Sequence, residues 1–158
     1  MIWTNSKYVG DGDVFLATER NYKYIDLNLL KKVSEIVFVS DENKYIYDNY
    51  YDKIKDLKLI GVTGTNGKTT TCYLIYQMLN LMGEKASYIG TIGFYIDDMV
   101  FKLDNTTPEI SLLYNMLYYA KKRKCRVVVM EVSSHALKQD RIYGLLFDSA
   151  LVTNITRD

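Results

Sequence analysis

The chain has 158 residues, 48% hydrophobic and 25% charged, with a single proline; this size buries roughly 68–70% of the unfolded surface, which allows a real core and excludes long disordered, collagen-like or proline-rich tracts. Twenty Lys and Arg against nineteen Asp and Glu leave a net charge of +1, so no global field draws the protein to nucleic acid or to an anionic membrane, and any bound anion needs a local site. Two cysteines, Cys72 and Cys125, are too few for a disulfide framework or a zinc site; with no basic-then-apolar leader and no apolar run near ~18 residues, the expected setting is the cytoplasm.

In chain order, Val14 to Ala17 and Ile36 to Val39 are short apolar β-type runs flanking an amphipathic stretch at Leu27 to Val33, which predicts a small α/β unit. A polar, tyrosine-rich helical segment over 44–55 follows, then a buried strand from Leu57 to Val62. The expected domains are therefore 1–57, a small N-terminal unit, and 58–158. A helix begins at Lys68, with Leu74, Ile75, Met78 and Leu81 expected on its buried face and Gly83 ending it. Ala86 to Ile92 is a strand, and Phe94 to Ile96 with Met99 to Leu103 form a hairpin around Asp97-Asp98. Thr107-Pro108-Glu109 predicts a helix start with Thr as cap and Pro at the first helical position, and Ile110, Leu113, Tyr114 and Leu117 as its apolar face. Arg126 to Val132 and Ala150 to Val152 are further strands. Strands alternating with crossover helices predict an α/β fold, a doubly wound, mostly parallel sheet with sites at the strand C-termini.

The sharpest local signal is Gly61-Val-Thr-Gly-Thr-Asn-Gly-Lys-Thr-Thr70, between an apolar strand and an amphipathic helix. This is the context of a phosphate loop. Glycines let backbone N–H groups turn toward phosphate oxygens, Lys68 reaches the β/γ-phosphates, the Thr69 hydroxyl can ligate Mg²⁺, and the helix N-terminus adds partial positive charge. The general pattern G-x-x-x-x-G-K-[ST] is broken at its first glycine, where this chain has Val62. A Mg·ATP site also wants a carboxylate from a neighbouring strand, and Glu131, ending Arg126 to Val132, is placed to supply it.

Four blocks, GVTGTNGKTTT at 61–71, NTTPE at 105–109, EVSSHALKQDR at 131–141 and TNITRD at 153–158, together resemble the Mur ligase family, in particular its members that add the third peptide residue to a UDP-muramoyl-dipeptide. The resemblance is strong over 58–158 and weak over 1–57, where Asn5-Ser6-Lys7 and Gly12 to Ala17 carry it. It implies that Gly64, Thr65, Asn66, Gly67, Lys68, Thr69 and Thr70 bind ATP, that Thr69 and Glu131 serve Mg²⁺, and that Lys68 and Glu131 act in catalysis. It implies that Ser6, Asn105, Thr106, Thr107, Ser133, Gln139 and Arg141 hold the UDP-N-acetylmuramoyl-dipeptide. The implied reaction is peptidoglycan synthesis: ATP phosphorylates a D-glutamate carboxylate, and the amine of a diamino acid, diaminopimelate or lysine, attacks the acyl phosphate. Thr107 alone would read as a plain helix cap.

The family motif runs on past TNITRD to a metal-binding His, a carbamylated Lys and a C-terminal amino-acid-binding domain, so the resemblance implies that 158 residues are about the first third of a ligase. A truncated, non-catalytic nucleotide-binding module is the competing reading. A kinase or switch NTPase is a third, and it leaves NTTPE and EVSSHAL unexplained. His135, the single histidine, is expected to be structural, and Lys121 to Lys124 a solvated helix end that complements the dipole. The expected partners are small molecules, with no nucleic acid and no membrane.

Overall fold

The structure, a computed structural model, describes residues 1–156. Two sheets organise it. The first is parallel, with order β1-β2-β3: β1 (Ile2–Trp3), β2 (Val14–Ala17) and β3 (Glu35–Phe38), with α1 (Leu27–Lys32) in the β2 to β3 crossover. Asp26 caps α1 by accepting from Leu29 N–H at 2.8 Å. Helix α2 (Glu42–Ile54), capped by Asp41, leads to the second sheet.

That sheet has six strands in the order β7-β6-β5-β8-β4-β9: β4 (Lys58–Thr63), β5 (Ala86–Gly90), β6 (Gly93–Ile96), β7 (Met99–Phe101), β8 (Val127–Glu131) and β9 (Ser149–Val152). β5, β8, β4 and β9 are parallel; β6 pairs antiparallel with β5 on one side and with β7 on the other, the β6–β7 pair being the hairpin that the sequence predicts. Helices α3 (Lys68–Leu81), α4 (Ile110–Lys122) and the short α5 (Ser134–Lys138) complete the unit. The mostly parallel, doubly wound α/β fold expected from the sequence is the observed one.

Residue alternation along β8 explains the layers. Val127 and Val129 pack with Val62, Ala86, Tyr88 and Cys72 of α3 on one face. Val128 and Met130 pack with Leu59, Ile89, Leu113 and Leu117 of α4 on the other. Each such aliphatic burial is worth about 1.5–3 kcal/mol. The second core extends into the N-terminal unit through Ile2, Leu16, Ile46 and Tyr50. There Tyr50 donates its hydroxyl proton to Asn115, accepts from Ile2 N–H, and Asn115 Nδ2 returns a bond to the Ile2 carbonyl at 2.8 Å. Burial pushes the Tyr50 phenol up to about 12.

Two local expectations need correction. Leu74, Met78 and Leu81 of α3 are exposed rather than buried; the inward face runs through Cys72, Tyr73, Ile75, Tyr76 and Leu79, because two tyrosines that count as polar in a pattern partly bury their rings here. Helix α4 begins at Ile110 with Glu109 as its cap, not at Thr107-Pro108. The Thr107 hydroxyl is instead bonded to the end of β8. Gly83 ends α3 as expected, at φ +84, and the five-residue α5 and two-residue β1 are too short to show in a periodicity.

Candidate functional site

The parallel register sets Val62 opposite both Glu131 and Leu151, and Thr63 opposite Val152. The chain segments leaving β4, β8 and β9 therefore emerge side by side at one sheet edge, where a doubly wound fold puts its ligand. From β4 comes the loop 64–67, and α3 starts directly behind it with Gly67 as N-cap. Gly64 (φ +133) and Gly67 (φ +82) occupy backbone conformations open to glycine. A Cβ at Gly64 would also overlap the Thr153 hydroxyl and come within 2.8 Å of the Asn154 carbonyl oxygen. Val62, where the general pattern has glycine, is a fully buried strand residue, and the first conformationally required glycine is Gly64.

The loop is braced from β9. Thr65 N–H donates to the Asn154 carbonyl at 3.0 Å and Asn66 N–H to Asn154 Oδ1 at 3.0 Å, while Thr153 Oγ1 donates to the Asn66 carbonyl at 2.6 Å. Lys68 Nζ lies over the loop and donates to the carbonyls of Gly64 (2.6 Å) and Thr65 (3.3 Å). These bracing residues, Thr153 and Asn154, lie in the TNITRD block but carry no role in the sequence reading; Arg157 and Asp158 lie outside the described residues.

Glu131 is fully buried at the end of β8. Its carboxylate has four donors: Tyr88 Oη and Thr91 N–H (2.9 Å) on Oε1, and Thr69 Oγ1 (3.0 Å) and Thr91 Oγ1 (3.1 Å) on Oε2. The two residues predicted to serve Mg²⁺ thus meet, although 62 residues separate them. Among the described residues no three His, Cys, Asp or Glu side chains cluster to hold a metal. One carboxylate beside one hydroxyl is the donor set of a Mg²⁺ completed by phosphate oxygens and water, and these residues fit that ion. Nearby Cys72 is pushed up to about 12 by burial and by the charge of Glu131, so its thiol is unreactive at neutral pH.

On the other side of Glu131 lies the segment 105–107. Thr106 Oγ1 is 3.0 Å from Thr91 Oγ1. Thr107 is 1% exposed; its hydroxyl donates to the Glu131 carbonyl (2.9 Å) and accepts from Ser133 N–H (3.1 Å). The hydroxyl therefore holds the segment in place, a different job from capping α4. Ser133 caps α5, accepting from Ala136 N–H at 3.2 Å. Arg141 donates from Nη1 to the Thr107 carbonyl (2.7 Å) and from Nε to Gln139 Oε1 (2.9 Å).

Asn105, Gln139 and Arg141 face a cleft of about 1020 Å³ whose far wall is Thr18 to Arg20 after β2 and Val39 to Asn43 after β3. The lining carries three cations, Arg20, Lys138 and Arg141, among five carboxylates, Glu19, Asp41, Glu42, Glu109 and Asp140; Glu42 is raised by burial, with Arg20 opposing that rise and Glu109 and Asp41 adding to it. Ser6 is exposed in a single 3₁₀ turn (Ser6–Tyr8) and is not a wall of this cleft. His135 is exposed on α5. In the basic run at the end of α4, Lys121 pairs with Asp56 (3.2 Å) and Arg123 with Asp97 (2.6 Å) at the surface.

Comparison with known proteins places this geometry in context. The family model described as Mur ligase middle domain matches residues 62–158. The chain is 43% identical over 146 residues to UDP-N-acetylmuramoyl-L-alanyl-D-glutamate--2,6-diaminopimelate ligase of Helicobacter pylori, covering 92% of the chain and 31% of that protein. It is 47% identical over 118 residues to the enzyme of the same name from Chlorobaculum tepidum, covering 75% of the chain and 23% of the relative. A solved structure of a ligase of that name superposes with a TM-score of 0.74 at 25% identity, over 99% of the chain and 36% of the solved one. The chain thus spans about a third or less of the length of these proteins.

Proposed function

The chain belongs to the Mur ligase family, and on that premise we propose that it forms the nucleotide-binding part of an ATP-dependent ligase that joins a diamino acid to UDP-N-acetylmuramoyl-L-alanyl-D-glutamate. The observation that carries the reading is the 3.0 Å bond between Thr69 and Glu131, a phosphate-loop hydroxyl meeting a buried carboxylate from the neighbouring strand. In this reading loop 64–70 holds the ATP phosphates through backbone N–H groups and the first turn of α3, and Lys68 exchanges its bonds to the Gly64 and Thr65 carbonyls for the β/γ-phosphates. Thr69 and Glu131 hold Mg²⁺, which when bound neutralises charge on the phosphates.

The cleft takes the UDP-muramoyl-dipeptide, with Asn105, Gln139 and Arg141 in contact with it; Arg20, Lys138 and Arg141 are the local cations for its anionic groups in a lining that also carries five carboxylates. Thr106, Thr107 and Ser133 serve the same substrate as its framework, since they fix the 105–107 segment and the start of α5 between cleft and phosphate loop. Residues 1–57 supply the opposite wall as a small substrate-binding unit, with Ser6 reserved for the uridine nucleotide, and 58–158 are the first part of the ATP-binding domain. Because the relatives are named as 2,6-diaminopimelate ligases, that is the diamino acid we assign. Among the described residues no helix is long and apolar enough to cross a membrane, and the small-molecule substrates of this reading place the work in the cytoplasm.

The test uses the complete gene product with ATP, Mg²⁺, UDP-muramoyl-dipeptide and either diaminopimelate or lysine. Phosphate release that requires both the dipeptide and diaminopimelate supports the reading. Release that ignores either one contradicts it.

A further inference from the structure

The carboxylate of Glu131 is held asymmetrically. Oε1 receives its two donors from the end of β5 and the residue that follows it: the Tyr88 hydroxyl and the Thr91 backbone N–H at 2.9 Å. Oε2 receives two side-chain hydroxyls, Thr69 Oγ1 at 3.0 Å and Thr91 Oγ1 at 3.1 Å. A backbone N–H has no lone pair to offer a cation. A threonine hydroxyl does, and it can rotate from donating to the carboxylate to ligating a metal beside it. The two oxygens are thereby differentiated, Oε1 as the anchored atom and Oε2 as the one toward the phosphate loop.

Tyr88 is well placed to anchor. Its ring is fully buried and lies 5.7 Å from Tyr73, 6.2 Å from Tyr76 and 5.6 Å from Tyr95, centroid to centroid, so the hydroxyl is delivered from a packed aromatic cluster. Between Tyr88 and Thr91 the strand carries Gly90, where a Cβ would overlap both Glu131 Oε1 and the Tyr88 hydroxyl. The backbone is bare where the phenol and carboxylate meet.

We propose that Tyr88 is a positioning residue for the divalent-cation site, pinning Glu131 Oε1 so that Oε2 faces the ion beside Thr69, a role that rests on the Mg²⁺ assignment made above. Donors to a ligating carboxylate orient it, and their loss typically lowers metal affinity about 10–100-fold. A tyrosine buried only for packing, its hydroxyl satisfied by whatever acceptor is near, has no such effect.

The experiment measures ADP binding to the complete gene product by calorimetry, once with Mn²⁺ and once with EDTA, and takes the ratio as the cation-dependent gain. For Tyr88→Phe the gain should fall by about tenfold or more while the affinity in EDTA stays at the wild-type value. An unchanged gain overturns the role of Tyr88 and leaves the cation site standing, and a parallel loss in both conditions overturns it in favour of packing. A wild-type chain that binds ADP equally well with and without Mn²⁺ overturns the cation site itself, and Tyr88's role with it. Should circular dichroism show Tyr88→Phe unfolded at 25 °C, both titrations are repeated for wild type and variant at a lower temperature at which their spectra coincide; the same selective loss of gain is expected, and an unchanged gain overturns the proposal.

Discussion

Replacing Thr107 with Val keeps the shape of a side chain that is 1% exposed and deletes a hydroxyl with two bonds, to the Glu131 carbonyl at 2.9 Å and from Ser133 N–H at 3.1 Å. The Glu131 carbonyl is left in a buried setting without this donor, at about 1–3 kcal/mol. Ser133 is half-buried, so its N–H recovers part of its loss from water. A total near 2 kcal/mol is expected, which for a chain of this size lowers Tm by about 4–8 °C. Thr107→Ser retains both bonds and loses one methyl, about 0.8 kcal/mol, and should melt within about 3 °C of wild type. Thermal unfolding followed by circular dichroism separates the two variants. If Thr107→Val melts with the wild type, the hydroxyl does not hold the 105–107 segment, and its proposed place in the framework under the cleft is wrong.

Arg141→Ala should raise the KM for UDP-muramoyl-dipeptide in the complete ligase, or lower kcat/KM, with ATP affinity nearly intact, because Arg141 faces the cleft and bonds Thr107 rather than the phosphate loop; equal loss of ATP binding would assign it to the nucleotide site. Lys85 at 2.6 Å and Arg123 at 2.6 Å hold the Asp97 carboxyl below its usual 3.8, against a small opposing effect of burial. A depressed folded value contributes stability that is present above the unfolded pKa and lost as pH falls through the folded one. The stability advantage of wild type over Asp97→Asn should therefore be full at neutral pH and close below about pH 4; a gap that does not change with pH refutes the ion-pair account. The 158-residue chain alone should show no ligation with either diamino acid, since the further groups that the resemblance implies are not within it; turnover from this chain would remove their assigned roles.

The parts of the fold that were legible are those in which one residue pattern has one physical solution. Arg126 to Val132 is apolar on both faces because β8 is covered by α3 and α4 alike. The strand, loop and helix over 58–81 follow from an apolar run broken by glycines, two of which stand at positive φ. The pairing of Thr69 with Glu131 was legible only because a phosphate loop demands a carboxylate from an adjacent strand. What hid from the sequence was long-range partnership. The bond from Thr107 to β8 displaces the start of α4 by overriding a good local capping signal. Leu74, Met78 and Leu81 share an apolar stripe with correct spacing, but tyrosines carry more of the inward face. Tyr88 and Thr91 sit 43 and 40 residues from Glu131, and nothing local marks them as its donors. The brace from Asn154 to the loop was hidden in the same way, since it spans 88 residues between ends that the β4 and β9 register brings together.

The most direct measurement of the central claim is the binding of Mg·ATP to residues 1–158 and to the Lys68→Ala variant, by equilibrium dialysis. Lys68 bonds only to carbonyls of its own loop among the described residues, so its removal should leave the fold and Tm nearly unchanged. The account predicts one saturable site in the wild type and at least about a tenfold loss of affinity in Lys68→Ala, the scale of one charge-assisted contact to phosphate. Saturable binding of equal strength in both proteins would contradict it.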